Sequence, residues 1–192
     1  MNLPNQLSVL RVILSPVFYF LVASGDTMNI KIGFLIYVIA GLTDWYDGWY
    51  ARKYKSITKL GIFLDPLADK VLISFAFLLF FKLNIIPLWM VLIIIIRDVV
   101  VTSLRSYEEF KGRTLVTSYI AKIKTFIQMV YVYFIIFLLF VKTFDISPEV
   151  RISIDNFIYN SIVNLIIIWI ITLITIFTGI SYFYEVRTEE VK

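Results

Sequence analysis

The chain has 192 residues, is 60% hydrophobic and has a mean hydropathy of +0.87, far above the apolar share of a soluble domain. It reads as one integral membrane domain over residues 1–192, with no hydrophilic stretch long enough to fold separately. Cysteine and histidine are both absent, which excludes disulfides, zinc-thiolate sites, haem ligation and histidine acid–base chemistry within one chain. With a formal charge of only +4, no nucleic-acid partner is expected. The carboxylate, amine, guanidinium and hydroxyl groups that remain suit hard, oxygen-preferring ions such as magnesium or manganese.

Long apolar runs predict an all-α protein with six transmembrane helices. In chain order they cover residues 7–23, 31–52, 61–81, 87–107, 115–141 and 156–184. The first is short, and Leu3-Pro4-Asn5 ahead of it predicts an amphipathic lead-in lying along the interface. It is not a cleavable signal, because no small-residue cleavage site follows. Pro66, one residue after Asp65, is expected in the first turn of the third helix, where its missing N–H costs nothing. Cationic residues set the orientation. With the N-terminus inside, the outer loops hold only Lys31, Lys82, Lys142 and Arg151, and the other 14 of the 18 Lys and Arg residues fall on the cytoplasmic side. The chain is thus expected in the cell (inner or plasma) membrane, with the ends of helices two and three facing the cytoplasm.

Those two ends carry the most informative residues. Asp44, Asp47, Gly48 and Ala51 lie at i, i+3, i+4 and i+7, on one face of one helix, and Asp65 and Asp69 lie at i and i+4 on the next. Carboxylates beside a bilayer are expensive and usually functional. Four of them, each one turn from a partner, cannot all stay ionised without a cation. Gly48 and Ala51 leave the space beside Asp47 free of side chains, so a ligand can come close. Solvated, salt-bridged helix ends are the plain alternative. The pattern is instead the raw material of a two-metal site that clamps a transferring phosphoryl group.

Asp44-x-x-Asp47-Gly48-x-x-Ala51-Arg52, then eight residues, then Gly61-x-x-x-Asp65-x-x-x-Asp69 resembles the signature of the CDP-alcohol phosphotransferases, with every fixed position met. The resemblance implies a six-helix membrane enzyme that displaces CMP from a CDP-linked substrate with an alcohol, using two divalent cations, Mg2+ or Mn2+. It implies that Asp44 and Asp65 bridge the two ions, that Asp47 binds the first and Asp69 the second, and that Asp69 also takes the proton from the attacking hydroxyl. Gly48, Ala51, Arg52 and Thr58 would meet the CDP moiety. A homodimer is common in the family and is the assembly the resemblance suggests.

Three further stretches bear on the acceptor. Asn2 to Ser8 with Arg11, Ile94 to Arg105, and Lys122 to Gln128 resemble the branch of the family that transfers a phosphatidyl group from CDP-diacylglycerol to glycerol 3-phosphate. That branch usually carries Glu where this chain has Asp98, so the charge survives with a shorter reach. Glycerol 3-phosphate is dianionic, and Arg97, Arg105, Lys122 and Lys124 are the residues expected to hold its phosphate. Arg97 lies within an apolar helix and needs a partner there. Asn5 and Ser8, one turn apart, either face the cytidine ring or diphosphate or belong to a simple membrane anchor. Two rival readings stand beside this one. One is a sister enzyme using inositol phosphate or serine. The other is a divalent-cation transporter, which would need polar groups at the midplane and beyond.

Overall fold

The computed structural model describes residues 3–54, 59–110 and 119–189. They form α1 (Leu3–Ala23), α2 (Thr27–Tyr54), α3 (Lys59–Lys82), α4 (Leu88–Phe110), α5 (Tyr119–Val141), α6 (Pro148–Asp155) and α7 (Ile162–Glu189), with a π-helical turn, Asn156–Asn160, between the last two. Short turns reverse the chain. Gly25 takes a positive φ of 75° after α1, which glycine accepts without strain. The Asp26 carboxylate then accepts the backbone N–H groups of Met28 and Asn29 at 3.0 Å each, capping α2.

Among the described residues four stretches are long and apolar enough to cross a membrane: Asn5–Ala23, Thr27–Asp44, Tyr119–Val141 and Pro148–Tyr182. The expectation was six. α3 carries Asp65, Asp69 and Lys70, and α4 carries Arg97, Asp98 and Arg105, so neither offers an uninterrupted apolar run. Three other expectations do need correction. The N-terminal lead-in is not a separate element among the described residues, because α1 is continuous from Leu3. Pro66 sits at the start of the third turn of α3, not in its first. It cannot donate to the carbonyl four residues back, so the ladder opens beside Asp65. The last expected helix, 156–184, is divided: a π-helical turn occupies its start, and Ser161, in extended backbone, restarts the chain as α7 by accepting the Val163 N–H at 3.1 Å. Asn164 repairs that junction. Its amide donates to the Ile158 carbonyl at 2.7 Å, and its oxygen accepts the Tyr131 hydroxyl at 3.0 Å, tying α7 to α5.

α1 packs against α2 and α3, α3 against α4, and both α4 and α5 against α7. The bundle is divided lengthwise by chemistry. Phe18, Tyr37, Phe77, Phe80, Ile94, Ile135 and Ile171 are buried in an apolar half. Asn5, Ser8, Arg11, Asp98, Lys124 and Gln128 are buried in the other. Small residues let the backbones close up, the usual basis of helix association in lipid. A Cβ built on Gly33 would stand 2.5 Å from a Val22 methyl, and one on Gly41 would stand 1.8 Å from the Tyr133 hydroxyl. Gly33→Ala is therefore expected to push α1 off α2 and cost about 1–3 kcal/mol, read as a lower unfolding temperature in detergent. Adding Val22→Ala should recover part of that loss.

Candidate active site

The polar half opens into a cavity of about 580 Å³ with walls from α1, α2, α3, α4, α5 and α7. One wall is acidic, with Asp44 near the end of α2 and Asp69 on α3. Between them lies Arg11, fully buried on α1. Its Nη1 stands 3.2 Å from Asp44 and is bonded to Asp69, and its Nε donates to the Ala40 carbonyl at 3.2 Å. Two facing carboxylates in a low-dielectric site repel unless a cation lies between them, and the guanidinium supplies that charge. Asp65, one turn before Asp69, accepts a hydrogen bond from the Ser8 hydroxyl.

The lining is basic as well as acidic, and Lys70 directly follows Asp69 on α3. Lys70, Arg97, Arg105 and Lys122 all line the cavity. Behind them Asp98 is buried on α4. Its Oδ1 accepts from Lys124 and, at 3.2 Å, from Arg97 Nη1. Its Oδ2 accepts from Gln128 at 3.0 Å and lies 4.0 Å from Lys70 Nζ. A carboxylate so surrounded accepts three hydrogen bonds and has a further cation within ion-pair distance. Gly179 of α7 makes room for the Arg97 stem, since a Cβ there would stand 3.1 Å from the Arg97 Cγ. Among the described residues Arg97 Nε and Gln128 Oε1 are buried without a hydrogen-bond partner.

Of the residues the sequence singled out, the structure brings Asp44, Asp69, Arg97, Arg105 and Lys122 to one cavity. Lys124 does not line it; its ammonium is turned to Asp98 instead. Asn5 and Ser8 are buried on α1 and do not line it either. Asp47, Gly48, Ala51 and Arg52 fall on the last turns of α2 with side chains outside the described residues, and Thr58 lies outside them altogether. Among the described residues no three acidic groups are grouped to hold a metal ion. The donor set nevertheless fits hard cations: it is all oxygen, and its two facing carboxylates already require positive charge between them. Two residues the site needs were not selected from sequence, Arg11 and Lys70. Arg11 carries the same signal that drew attention to Arg97, since Val9-Leu10 precede it and Val12-Ile13 follow it.

A membrane-spanning helical bundle with an acidic and a basic wall around one cavity defines a class suited to handling phosphate esters beside a bilayer. The chain belongs to the CDP-alcohol phosphatidyltransferase family, whose sequence profile matches residues 1–177. Relatives named CDP-diacylglycerol–glycerol-3-phosphate 3-phosphatidyltransferase include one from Rickettsia typhi, 34% identical over 97% of this chain and 98% of the relative. Those from Bacillus subtilis and Escherichia coli are each 37% identical over 67% of this chain and 73% of the relative.

Arg11→Leu should leave Asp44 and Asp69 facing each other unneutralised. Breaking a fully buried pair costs about 3–5 kcal/mol, and the partial exposure of both carboxylates reduces this to about 2 kcal/mol. Thermal unfolding followed by circular dichroism in chelator-containing buffer should show the loss, with Arg11→Lys recovering part of it. An unchanged unfolding temperature would show that the guanidinium is not holding the three helices together.

Proposed function

We propose that the chain transfers a phosphatidyl group from CDP-diacylglycerol to the primary hydroxyl of sn-glycerol 3-phosphate, giving phosphatidylglycerol phosphate and CMP. The observation that carries the reading is one cavity lined by both Asp44 and Asp69 and by Lys70, Arg97, Arg105 and Lys122. A dianionic acceptor needs the basic wall, which a neutral alcohol would not. Family membership and the names of relatives aligned over nearly their whole length support the same reaction.

On this reading Asp69 accepts the proton of the attacking hydroxyl. The new oxygen–phosphorus bond forms at the phosphorus that carries diacylglycerol, the anhydride bond to CMP breaks, and CMP leaves with the electron pair. Held by Asp44, Asp47, Asp65 and Asp69, two divalent cations, Mg2+ or Mn2+, would neutralise the diphosphate and the departing CMP. Gly48, Ala51, Arg52 and Thr58 contact the CDP moiety, with Asn5 and Ser8 serving the same end and Ser8 bonded to Asp65. Arg97, Arg105 and Lys122 hold the acceptor phosphate. The chain acts as one domain with six membrane-crossing helices in the cell membrane. The excess of Lys and Arg near the cavity end supports a cytoplasmic active site. α2, with 28 residues, measures roughly 42 Å against a hydrocarbon core of about 30 Å, so one end must stand in the interface.

Two measurements test this. EDTA should abolish CMP release from purified protein given CDP-diacylglycerol and glycerol 3-phosphate, and Mg2+ or Mn2+ should restore it. Asp69→Asn should lose at least about 10²–10⁴-fold while remaining folded. Full activity after exhaustive chelation would contradict the metal assignment. In an acceptor panel, glycerol, serine and inositol phosphate should release CMP far more slowly than glycerol 3-phosphate. Arg97→Ala should raise the KM for glycerol 3-phosphate and leave that for CDP-diacylglycerol nearly unchanged. The loss of one charge-assisted hydrogen bond, about 1.5–3 kcal/mol, corresponds to roughly ten- to over a hundredfold.

A further inference from the structure

The basic wall is built around a residue that no ligand needs to touch. Asp98 is 2% exposed and gathers cations from three helices: Lys70 of α3, Arg97 of its own helix and Lys124 of α5. Three cations meet one carboxylate there, so the cluster holds more positive than negative charge, and Asp69, next to Lys70 on α3, offsets only part of it. Surplus charge among packed helices in lipid is costly, and it falls when an anion of matching charge enters. A phosphate monoester, carrying about −1.5 to −2 at neutral pH, is such an anion. The three cations are not equivalent. Lys70 and Arg97 line the cavity, whereas Lys124 lies behind it, buried and turned to Asp98. Gln128 engages the second oxygen of Asp98, and Gly179 leaves the room that the Arg97 stem occupies.

We propose that Asp98 is the positioning residue of the phosphate subsite, that Lys70 is a further cation of that subsite, and that Lys124 serves Asp98 without touching the phosphate. This rests on glycerol 3-phosphate being the acceptor. Lys124 and Gln128 fix the carboxylate from behind, and the carboxylate aims Arg97 and Lys70 into the cavity. Removing its charge while keeping its shape frees both cations to turn elsewhere. A binding cost specific to the acceptor follows, because the carboxylates of the acidic wall are held separately by Arg11.

The test is steady-state CMP release by the purified full-length protein in detergent–lipid micelles, with each substrate titrated in turn. Asp98→Asn should raise the KM for glycerol 3-phosphate at least tenfold and that for CDP-diacylglycerol less than twofold, and Asp98→Glu should restore the acceptor KM to within about threefold. Lys124→Met added to Asp98→Asn should change the acceptor KM less than twofold further. Multiplied losses would make Lys124 a direct phosphate ligand and overturn the proposal, as would an acceptor KM unmoved by Asp98→Asn. If Asp98→Asn does not fold, Lys70→Met decides: a fivefold or greater rise confined to the acceptor KM supports the subsite, and no rise overturns it. If the unmodified protein uses glycerol as readily as glycerol 3-phosphate, the acceptor reading fails and the proposal with it. A normal preference combined with silent Asp98 and Lys70 variants overturns the proposal alone.

Discussion

One buried guanidinium sets the terms for the polar half of this bundle. Arg11 comes from α1, its carboxylate partners from α2 and α3, and its Nε bond from the backbone of α2. Three helices are thereby brought to a point where each alone would carry an unsatisfied charge into a low-dielectric interior. The first helix is therefore a structural wall of the site and not only a membrane anchor. The hydroxyl of Ser8, one turn earlier, adds a bond to Asp65, so a single face of α1 holds three of the acidic positions in register.

The basic wall follows the same rule with the signs reversed. Around Arg11 the carboxylates outnumber the cation; around Asp98 the cations outnumber the carboxylate. Neither cluster balances by itself, and the cavity lies between them. Both kinds of charge therefore meet around a single cavity, lined by Asp44 and Asp69 and by Lys70, Arg97, Arg105 and Lys122.

Much of this was legible in the sequence, for reasons that can be named. Helix positions were readable because apolar runs of the right length have few alternatives in a membrane, and the spacing of Asp44, Asp65 and Asp69 was readable because helical periodicity places them on facing turns. The break before α7 was not, since Ile152, Ile154, Phe157 and Ile158 keep the segment apolar through a π-helical turn whose only mark is the Asn160-Ser161 pair. Nor could sequence decide between Lys122 and Lys124. Two residues apart on α5, they point to different sides, one to the cavity and one to Asp98, and that depends on how α5 is rotated against α4. Arg11 was in view as part of a motif but not as a partner of the acids, because pairing across three helices has no signature along the chain.

The apolar half of the bundle has a consequence of its own. Phe18, Phe77, Leu79, Phe80 and Ile135, each 1% exposed or less, close the space beyond the cavity with side chains that offer an ion no ligand. The rings pack against each other edge-on, Phe77 with Phe80 at 5.9 Å and Phe80 with Tyr131 at 6.0 Å. A charge moving through a membrane under a potential of 100 mV releases about 2.3 kcal/mol, little against the cost of stripping an ion of its water in hydrocarbon. A layer of packed rings and aliphatic side chains is thus a poor path for an ion, and the charged groups of the cavity end where that layer begins.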